Sequence, residues 1–147
     1  MEPISFLSDS EQKTHEFAND FARNLNKGSL VALTGQLGAG KTVFARGLCR
    51  GLGFDGIVSS PSYTLVNIYQ GRFRINHVDL YRIENTDEIA DLDPDELFYP
   101  EGVTIIEWAE KIRSILPAQK WIVFLELAGK NKRQIEIYDS VWPDKIG

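Results

Sequence analysis

Eight consecutive residues have the types and spacing of a loop that binds phosphate groups. They are Gly35-Gln36-Leu37-Gly38-Ala39-Gly40-Lys41-Thr42, and they fit the pattern G-x-x-x-x-G-K-[ST] in full. Glycines let the backbone curl so that successive amides point inward, Lys41 supplies a mobile positive charge, and the Thr42 hydroxyl is a hard oxygen ligand suited to Mg²⁺. We therefore expect nucleotide phosphates to bind at Gly35, Gly38, Ala39, Gly40, Lys41, Thr42 and Val43.

The segments on either side of this phosphate loop strengthen the interpretation. Residues 30–33 form a short continuous apolar run, which is typical of a strand buried on both faces. Residues 41–50 favour a helix, whose N-terminus would add the positive end of its dipole to the loop. A buried strand before the loop and a helix after it are the setting in which such loops bind phosphate.

Hydrolysis of a bound nucleotide would also need carboxylates that bind a metal ion and position water. Three acids follow apolar, strand-like runs: Asp79, Glu107 and Glu126. Ligands in open α/β sheets lie beyond the carboxyl ends of the strands, so all three are candidates. Glu107 ends the cleanest apolar run, residues 103–106, and best fits a metal-binding carboxylate. Spacing alone does not rank Asp79 against Glu107.

The remaining pattern predicts an α/β fold. Helices are expected at residues 10–26 and 109–116, the first with a capping box formed by Ser8 and Glu11. Strands are expected at four further runs: residues 63–69, 73–80, 121–125 and 134–138. Residues 70–72 would join the first two of these strands as a hairpin. Together these elements predict a three-layer, P-loop NTPase-like fold around a mixed central sheet.

Length and composition limit the classes of protein that remain. A chain of 147 residues suits one domain, which we expect to span residues 1–147. The single cysteine, Cys49, excludes an internal disulfide. No apolar run reaches the ~18–20 residues that cross a bilayer, and the first residues lack the pattern of a signal peptide, so we expect a cytoplasmic protein with no membrane contact. The net charge of −5 is opposite to that of proteins that wrap nucleic acid.

Charge is unevenly distributed along the chain. Residues 84–96 contain seven acids and no Lys or Arg. A solvated loop with a short helix is the simpler interpretation of this acidic segment, and a docking surface for a basic partner is the alternative. The basic residues 130–133 are expected to be solvated. We expect His77 to be packed or hydrogen-bonded and not a metal ligand.

Three further motifs follow the phosphate loop in order. They are Ser60-Pro61-Ser62-Tyr63-Thr64-Leu65, His77-Val78-Asp79-Leu80-Tyr81-Arg82 and Ile106-Glu107-Trp108. Together with the loop, this series closely resembles the bacterial tRNA threonylcarbamoyladenosine biosynthesis ATPase family TsaE, also called YjeE. The resemblance covers residues 10–108 by motif and most of the chain by length. Ser62 stands where the family usually has Thr, and it keeps the hydroxyl.

The resemblance implies a small P-loop fold that binds ATP and Mg²⁺ and hydrolyses ATP slowly on its own. It also implies action with the TsaB and TsaD proteins in attaching a threonylcarbamoyl group to the adenosine beside the tRNA anticodon, with tRNA met only through that complex. Lys41, Asp79 and Glu107 would be catalytic, and Thr42 and Glu107 would bind the metal. Residues 60–65 would sense the γ-phosphate, and Glu11 would lie near the nucleotide base.

Other functions are compatible with a phosphate loop. A small-molecule P-loop kinase is the main alternative, with phosphate clamps drawn from four arginines: Arg46, Arg72, Arg74 and Arg82. The sequence shows no separate acceptor-binding segment or lid for such a kinase. A GTPase is disfavoured because residues 131–134 lack the Asp of the guanine-reading N-K-x-D pattern. A third possibility is a binding module that nucleotide switches and whose turnover is incidental.

Overall fold

A computed structural model describes residues 2–61 and 65–146, and its centre is a mixed seven-stranded sheet. The strands are β1 (Ile4–Ser8), β2 (Leu30–Thr34), β3 (Val66–Gln70), β4 (Arg74–Asp79), β5 (Val103–Glu107), β6 (Trp121–Gly129) and β7 (Lys132–Asp139). Their order across the sheet is β1-β7-β6-β2-β5-β4-β3. The central strands β4, β5, β2 and β6 run parallel, whereas β3, β7 and β1 run antiparallel to their neighbours. The predicted mixed sheet is confirmed.

Helices cover both faces of this sheet. The α-helices are α1 (Glu11–Phe21), α2 (Lys41–Gly51) and α3 (Pro94–Phe98), and 3-10 helices lie at Ala22–Asn24, Thr86–Leu92, Ala109–Ile115 and Asp144–Ile146. Val31 and Leu33 of β2 pack in the core beneath α1 and α2, while Leu30 and Ala32 pack in a second core on the opposite face. Because both faces of β2 are covered, its residues 30–33 are all apolar. No helix in the part of the chain described here is long and apolar enough to cross a membrane.

The beginning of α1 differs from its prediction. Ser10 is the N-cap, and its Oγ accepts a hydrogen bond from the Lys13 amide at 3.0 Å. Ser8 instead ends β1, where its hydroxyl accepts from Thr14 Oγ1 at 2.7 Å. The predicted capping box at Ser8 and Glu11 is therefore wrong. The helix is also shorter than residues 10–26, because the chain tightens into a 3-10 turn after Phe21.

The two long helices pack with their backbones close together. A Cβ atom at Gly47 would lie 2.5 Å from the His15 carbonyl oxygen, and one at Gly51 would lie 2.4 Å from the Asn19 carbonyl oxygen. Only glycine allows this approach. As a result, the N-terminus of α1 lies beside the phosphate loop at the start of α2, and both border the same cavity.

Candidate active site

The carboxyl ends of β4 and β5 and the phosphate loop that follows β2 meet at a cavity of about 670 Å³, a volume within the range of sites for small ligands. This main cavity has four walls: the N-terminus of α1, the phosphate loop with the first turn of α2, the ends of β4 and β5, and the β6–β7 turn. Parallel strands with helices on both faces place ligand sites at this edge of the sheet.

Most of the residues selected from the sequence border the main cavity: Glu11, Gly38, Gly40, Lys41, Thr42, Val43, Asp79 and Glu107. Gly35 and Ala39 do not. The Ala39 side chain is fully buried in the core, and Gly35 lies against the Leu125 backbone beneath the loop. Glu126 borders a different cavity behind the loop, so it is not brought together with Asp79 and Glu107.

The curled phosphate loop depends on its glycines. Gly38 and Gly40 have φ angles of +82° and +100°, which L-residues with side chains rarely adopt. A Cβ atom on Gly35 would lie 2.2 Å from the Leu125 carbonyl oxygen, so no larger residue fits there. Gly40 directly precedes α2, whose first amides have no acceptor within the helix. The loop and the open helix end therefore form an anion-binding cradle.

Lys41 is folded back against its own loop. Its Nζ donates hydrogen bonds to Gly35 O at 2.5 Å and Gln36 O at 2.9 Å, and it lies 3.9 Å from the centroid of the Trp108 ring. Burial lowers the pKa of the Lys41 ammonium. Three carboxylates oppose that shift in pKa: Glu110, Glu107 and Asp79. The ammonium has three N–H donors and uses two of them on loop carbonyls, so a phosphate in the cavity would take the third donor or the place of one carbonyl.

Glu107 is the last residue of β5 and is almost fully buried. Its Oε1 accepts a hydrogen bond from Thr42 Oγ1 at 2.9 Å, and its Oε2 lies 2.6 Å from His77 Nε2. Within residues 2–61 and 65–146, no group of three His, Cys, Asp or Glu side chains could hold a metal ion alone. A hydroxyl and a carboxylate side by side are hard oxygen donors, so this pair fits Mg²⁺ shared with the oxygens of a bound phosphate.

Asp79 ends β4 directly opposite Glu107 in the strand register. Its Oδ1 accepts a hydrogen bond from the Tyr81 amide at 2.9 Å, and its Oδ2 accepts one from Ser60 Oγ at 2.8 Å. Both carboxylate oxygens are thus fixed at the edge of the cavity. Ser60 belongs to the segment expected to sense the γ-phosphate, residues 60–65, of which residues 62–64 lie outside the described residues.

Arg133 is a cavity residue that the sequence did not indicate. Residues 130–132 are exposed, as predicted, and Arg133 is half-buried, with its Nη2 donating to Gly38 O at 3.1 Å. The β6–β7 hairpin returns Arg133 to the phosphate loop, although 95 positions separate it from Gly38. No motif accompanies it, so only the pairing of β6 with β7 could have indicated this placement.

The four arginines proposed as kinase clamps are not gathered at one site. Arg82 borders the main cavity, whereas Arg46 borders a shallow cavity on the far side of α2. Arg72 donates to Gly51 O at 3.0 Å, and Arg74 lies 3.7 Å from the Glu96 carboxylate. The arrangement lacks the converging clamps on which the kinase alternative depended.

Comparison with known proteins agrees with these observations. A family model described as threonylcarbamoyl adenosine biosynthesis protein TsaE matches residues 8–135. The tRNA threonylcarbamoyladenosine biosynthesis protein TsaE of Treponema pallidum is 37% identical over 131 residues, which cover 89% of this chain and 97% of that protein. The protein of the same name from Bacillus subtilis is 36% identical over 136 residues, which cover 92% of this chain and 85% of that protein. The crystal structure of Bacillus subtilis YdiB matches with a TM-score of 0.82 at 30% identity, covering 95% of this chain and 87% of that one. The chain therefore belongs to the TsaE family of tRNA threonylcarbamoyladenosine biosynthesis proteins.

Proposed function

We propose that this chain is a Mg²⁺-dependent ATPase that works with TsaB and TsaD when threonylcarbamoyl is attached to the adenosine next to the tRNA anticodon. The observation that carries the proposal is the convergence of Lys41, Thr42, Asp79 and Glu107 on one cavity, at the carboxyl ends of β4 and β5 and beside the phosphate loop. Membership of the family places the chain in the pathway, and the geometry of the cavity supports the ATPase activity.

Binding would use the two ends of the main cavity for different parts of the nucleotide. The phosphates would lie in the cradle of Gly38, Gly40 and the first turn of α2, where Lys41 would turn from its loop carbonyls to the phosphate oxygens. Glu11 and Thr14 border the cavity at the start of α1. These polar side chains would lie beside the base and ribose, as the family resemblance implied for Glu11.

Hydrolysis would depend on fixed charge and a fixed water acceptor. A Mg²⁺ ion at Thr42 and Glu107 would neutralise part of the charge on the phosphate oxygens. Asp79 would accept a hydrogen bond from the attacking water, because Ser60 and Tyr81 already hold its carboxylate in place. Arg133 places a guanidinium at the cavity wall, close to the loop. Preorganised charges of this kind stabilise the phosphoryl-transfer transition state.

Dependence on a partner is supported by the contacts of the acidic segment, residues 84–96. Its Glu96 carboxylate accepts a hydrogen bond from Asn76 Nδ2 at 3.3 Å, and Asn76 belongs to the same strand as Asp79. Most of the segment's carboxylates are exposed. A basic partner surface that docks on this segment could therefore move β4 and the Asp79 carboxylate. We propose that TsaB and TsaD provide this surface and that the isolated chain is slow.

A reconstituted reaction tests the proposal. Purified chain, TsaB, TsaD, tRNA, ATP and a threonylcarbamoyl donor are combined, and both free phosphate and modified adenosine are measured. We expect both products to require this chain and to disappear with Glu107→Gln. Modification that proceeds equally without the chain would contradict the proposal. Modification that persists in Glu107→Gln without phosphate release would favour a nucleotide-switched module, and phosphate transferred to a small molecule would favour a kinase.

A further inference from the structure

The imidazole ring of His77 is fully buried and forms a hydrogen bond with the Glu107 carboxylate. Its Nε2 lies 2.6 Å from Glu107 Oε2, and the His77 side chain has 0% exposure. Its Nδ1 has no hydrogen-bond partner among residues 2–61 and 65–146. Burying a polar ring with one nitrogen unpaired costs free energy, so packing alone does not explain a histidine here. The bond to Glu107 is the feature that an apolar residue could not replace.

The strand register aims this ring at the carboxylate. Asp79 lies opposite Glu107, and His77 lies opposite Ile105. Side chains two residues apart on a strand share a face, so His77 and Asp79 point to the same side of the sheet. His77 is therefore the diagonal neighbour of Glu107, within reach of a long side chain. Tyr69 packs beside the His77 ring, with 6.1 Å between ring centroids.

The two oxygens of Glu107 have separate partners. Oε2 faces His77, which leaves Oε1 directed at the Thr42 hydroxyl, 2.9 Å away. The glutamate side chain has three rotatable torsions. If only one carboxylate oxygen were hydrogen-bonded, the carboxylate group could still rotate, and the second oxygen would have no fixed position. A carboxylate can only accept a hydrogen bond, so the ring nitrogen that faces it must be the donor. The bond to Glu107 therefore places the imidazole proton of His77 on Nε2.

We propose that His77 is a positioning residue that fixes the orientation of Glu107, so that Oε1 and Thr42 together present a ready-made metal-binding edge to the nucleotide site. The proposal rests on the proposed function, because it assumes that the nucleotide binds with Mg²⁺. His77 itself touches neither the nucleotide nor the metal. Partners that orient a metal ligand typically contribute about 10- to 100-fold to metal affinity.

Binding of a non-hydrolysable ATP analogue, titrated in excess Mg²⁺ and again in EDTA, tests this role. In His77→Leu we expect the ratio of the two affinities to fall by about 10- to 100-fold, with affinity in EDTA unchanged. In His77→Gln the amide nitrogen takes the place of Nε2 and should restore most of the ratio. Thr104→Val is the matched control: it removes a buried polar group from the neighbouring strand β5, one that contacts Asn76, and should leave the ratio unchanged.

The outcomes separate positioning from a general structural role. Equal loss of affinity with and without Mg²⁺ in His77→Leu, or no loss in either condition, would overturn the proposal. Failure of His77→Gln to restore the Mg²⁺ response in a folded variant would also overturn it. If the wild-type chain binds the analogue no more tightly with Mg²⁺ than without, the proposed Mg²⁺-dependent function is contradicted, whatever the role of His77.

A measurement on the wild-type chain keeps the test independent of whether variants fold. The chain has two histidines, so ¹⁵N-labelled histidine gives two ring systems, and His15→Gln assigns them. We expect His77 to carry its proton on Nε2 and that proton resonance to shift in Glu107→Gln. A His77 ring protonated on Nδ1 alone would contradict the hydrogen bond on which the proposal depends.

Discussion

Lys41 makes contacts in the described structure that a bound phosphate would replace. Its ammonium donates to two carbonyls of its own loop and lies over the Trp108 ring. We predict that Lys41→Ala weakens ATP binding by about 10- to 150-fold, since a charge-assisted hydrogen bond contributes roughly 1.5–3 kcal/mol. Calorimetric titration measures the affinity, and Lys130→Ala, which removes an exposed charge from the β6–β7 turn, is the control. Unchanged affinity in a folded Lys41→Ala variant would falsify the assignment of the phosphate loop.

The three acids that the sequence placed after strands should separate by position, since Asp79 and Glu107 end β4 and β5 whereas Glu126 lies within β6. Glu107→Ala is expected to abolish ATP hydrolysis and Asp79→Ala to reduce it severely, because both carboxylates border the main cavity. Glu126→Ala should leave most of the activity, since Glu126 is exposed and borders the other cavity. Steady-state phosphate release measures all three. If Glu126→Ala lowered phosphate release more than Glu107→Ala, the assignment of β5 as the strand that carries the metal-binding carboxylate would be wrong.

At the scale of elements, the contact between α1 and α2 fixes the shape of the main cavity. Gly47→Ala would raise the intrinsic helix propensity of α2 by about 1 kcal/mol. However, the new methyl group would meet the His15 carbonyl and the Ala18 side chain. We predict a net destabilisation of about 1–3 kcal/mol, measured by urea unfolding. Arg46→Ala, at an exposed position of the same helix, is the control, and a Gly47→Ala variant more stable than wild type would contradict the packing.

The central parallel strands and the phosphate loop could be predicted because their signals are local. The apolar run before the loop, its glycines and the helix after it lie within about 20 consecutive positions, and β2 and α2 begin where expected. β1 was missed because its partner β7 lies at the other end of the chain, so its pairing is not a local property. The contact of Arg133 with Gly38 spans 95 positions, so it is not a local property either. The end of α1 was misplaced because residues 22–24 continue as a 3-10 helix, which the spacing of apolar residues does not distinguish from an α-helix.

At the scale of the whole molecule, the acidic segment is the proposed docking surface, and its Glu96 contacts Asn76 of β4. We predict that Asp87→Lys combined with Asp91→Lys reduces stimulation of ATP hydrolysis by TsaB and TsaD and spares ATP binding. Glu88 is left unchanged because its carboxylate accepts hydrogen bonds from the Glu84 and Asn85 amides, bonds that lower its pKa.

The control for this charge reversal carries the same change elsewhere on the surface. Asp20→Lys with Asp55→Lys alters two exposed acids outside the acidic segment. Turnover is measured for each protein across a titration of the partner assembly. Identical stimulation curves for the two double variants would show that the acidic segment is not the docking surface. Fast turnover by the isolated wild-type chain would show that hydrolysis does not depend on a partner.

The central claim is that distant parts of the chain form one site for ATP with Mg²⁺, and hydrogen–deuterium exchange tests it most directly. Exchange is compared with and without Mg²⁺ and a non-hydrolysable ATP analogue, using Lys41→Ala as the control. We predict slower exchange in the four walls of the main cavity: residues 9–14, 35–44, 79–82 and 131–134. This protection should be lost in Lys41→Ala. Absence of protection at residues 35–44 in the wild-type chain at saturating analogue, or protection confined to the cavity behind the loop, would contradict the account.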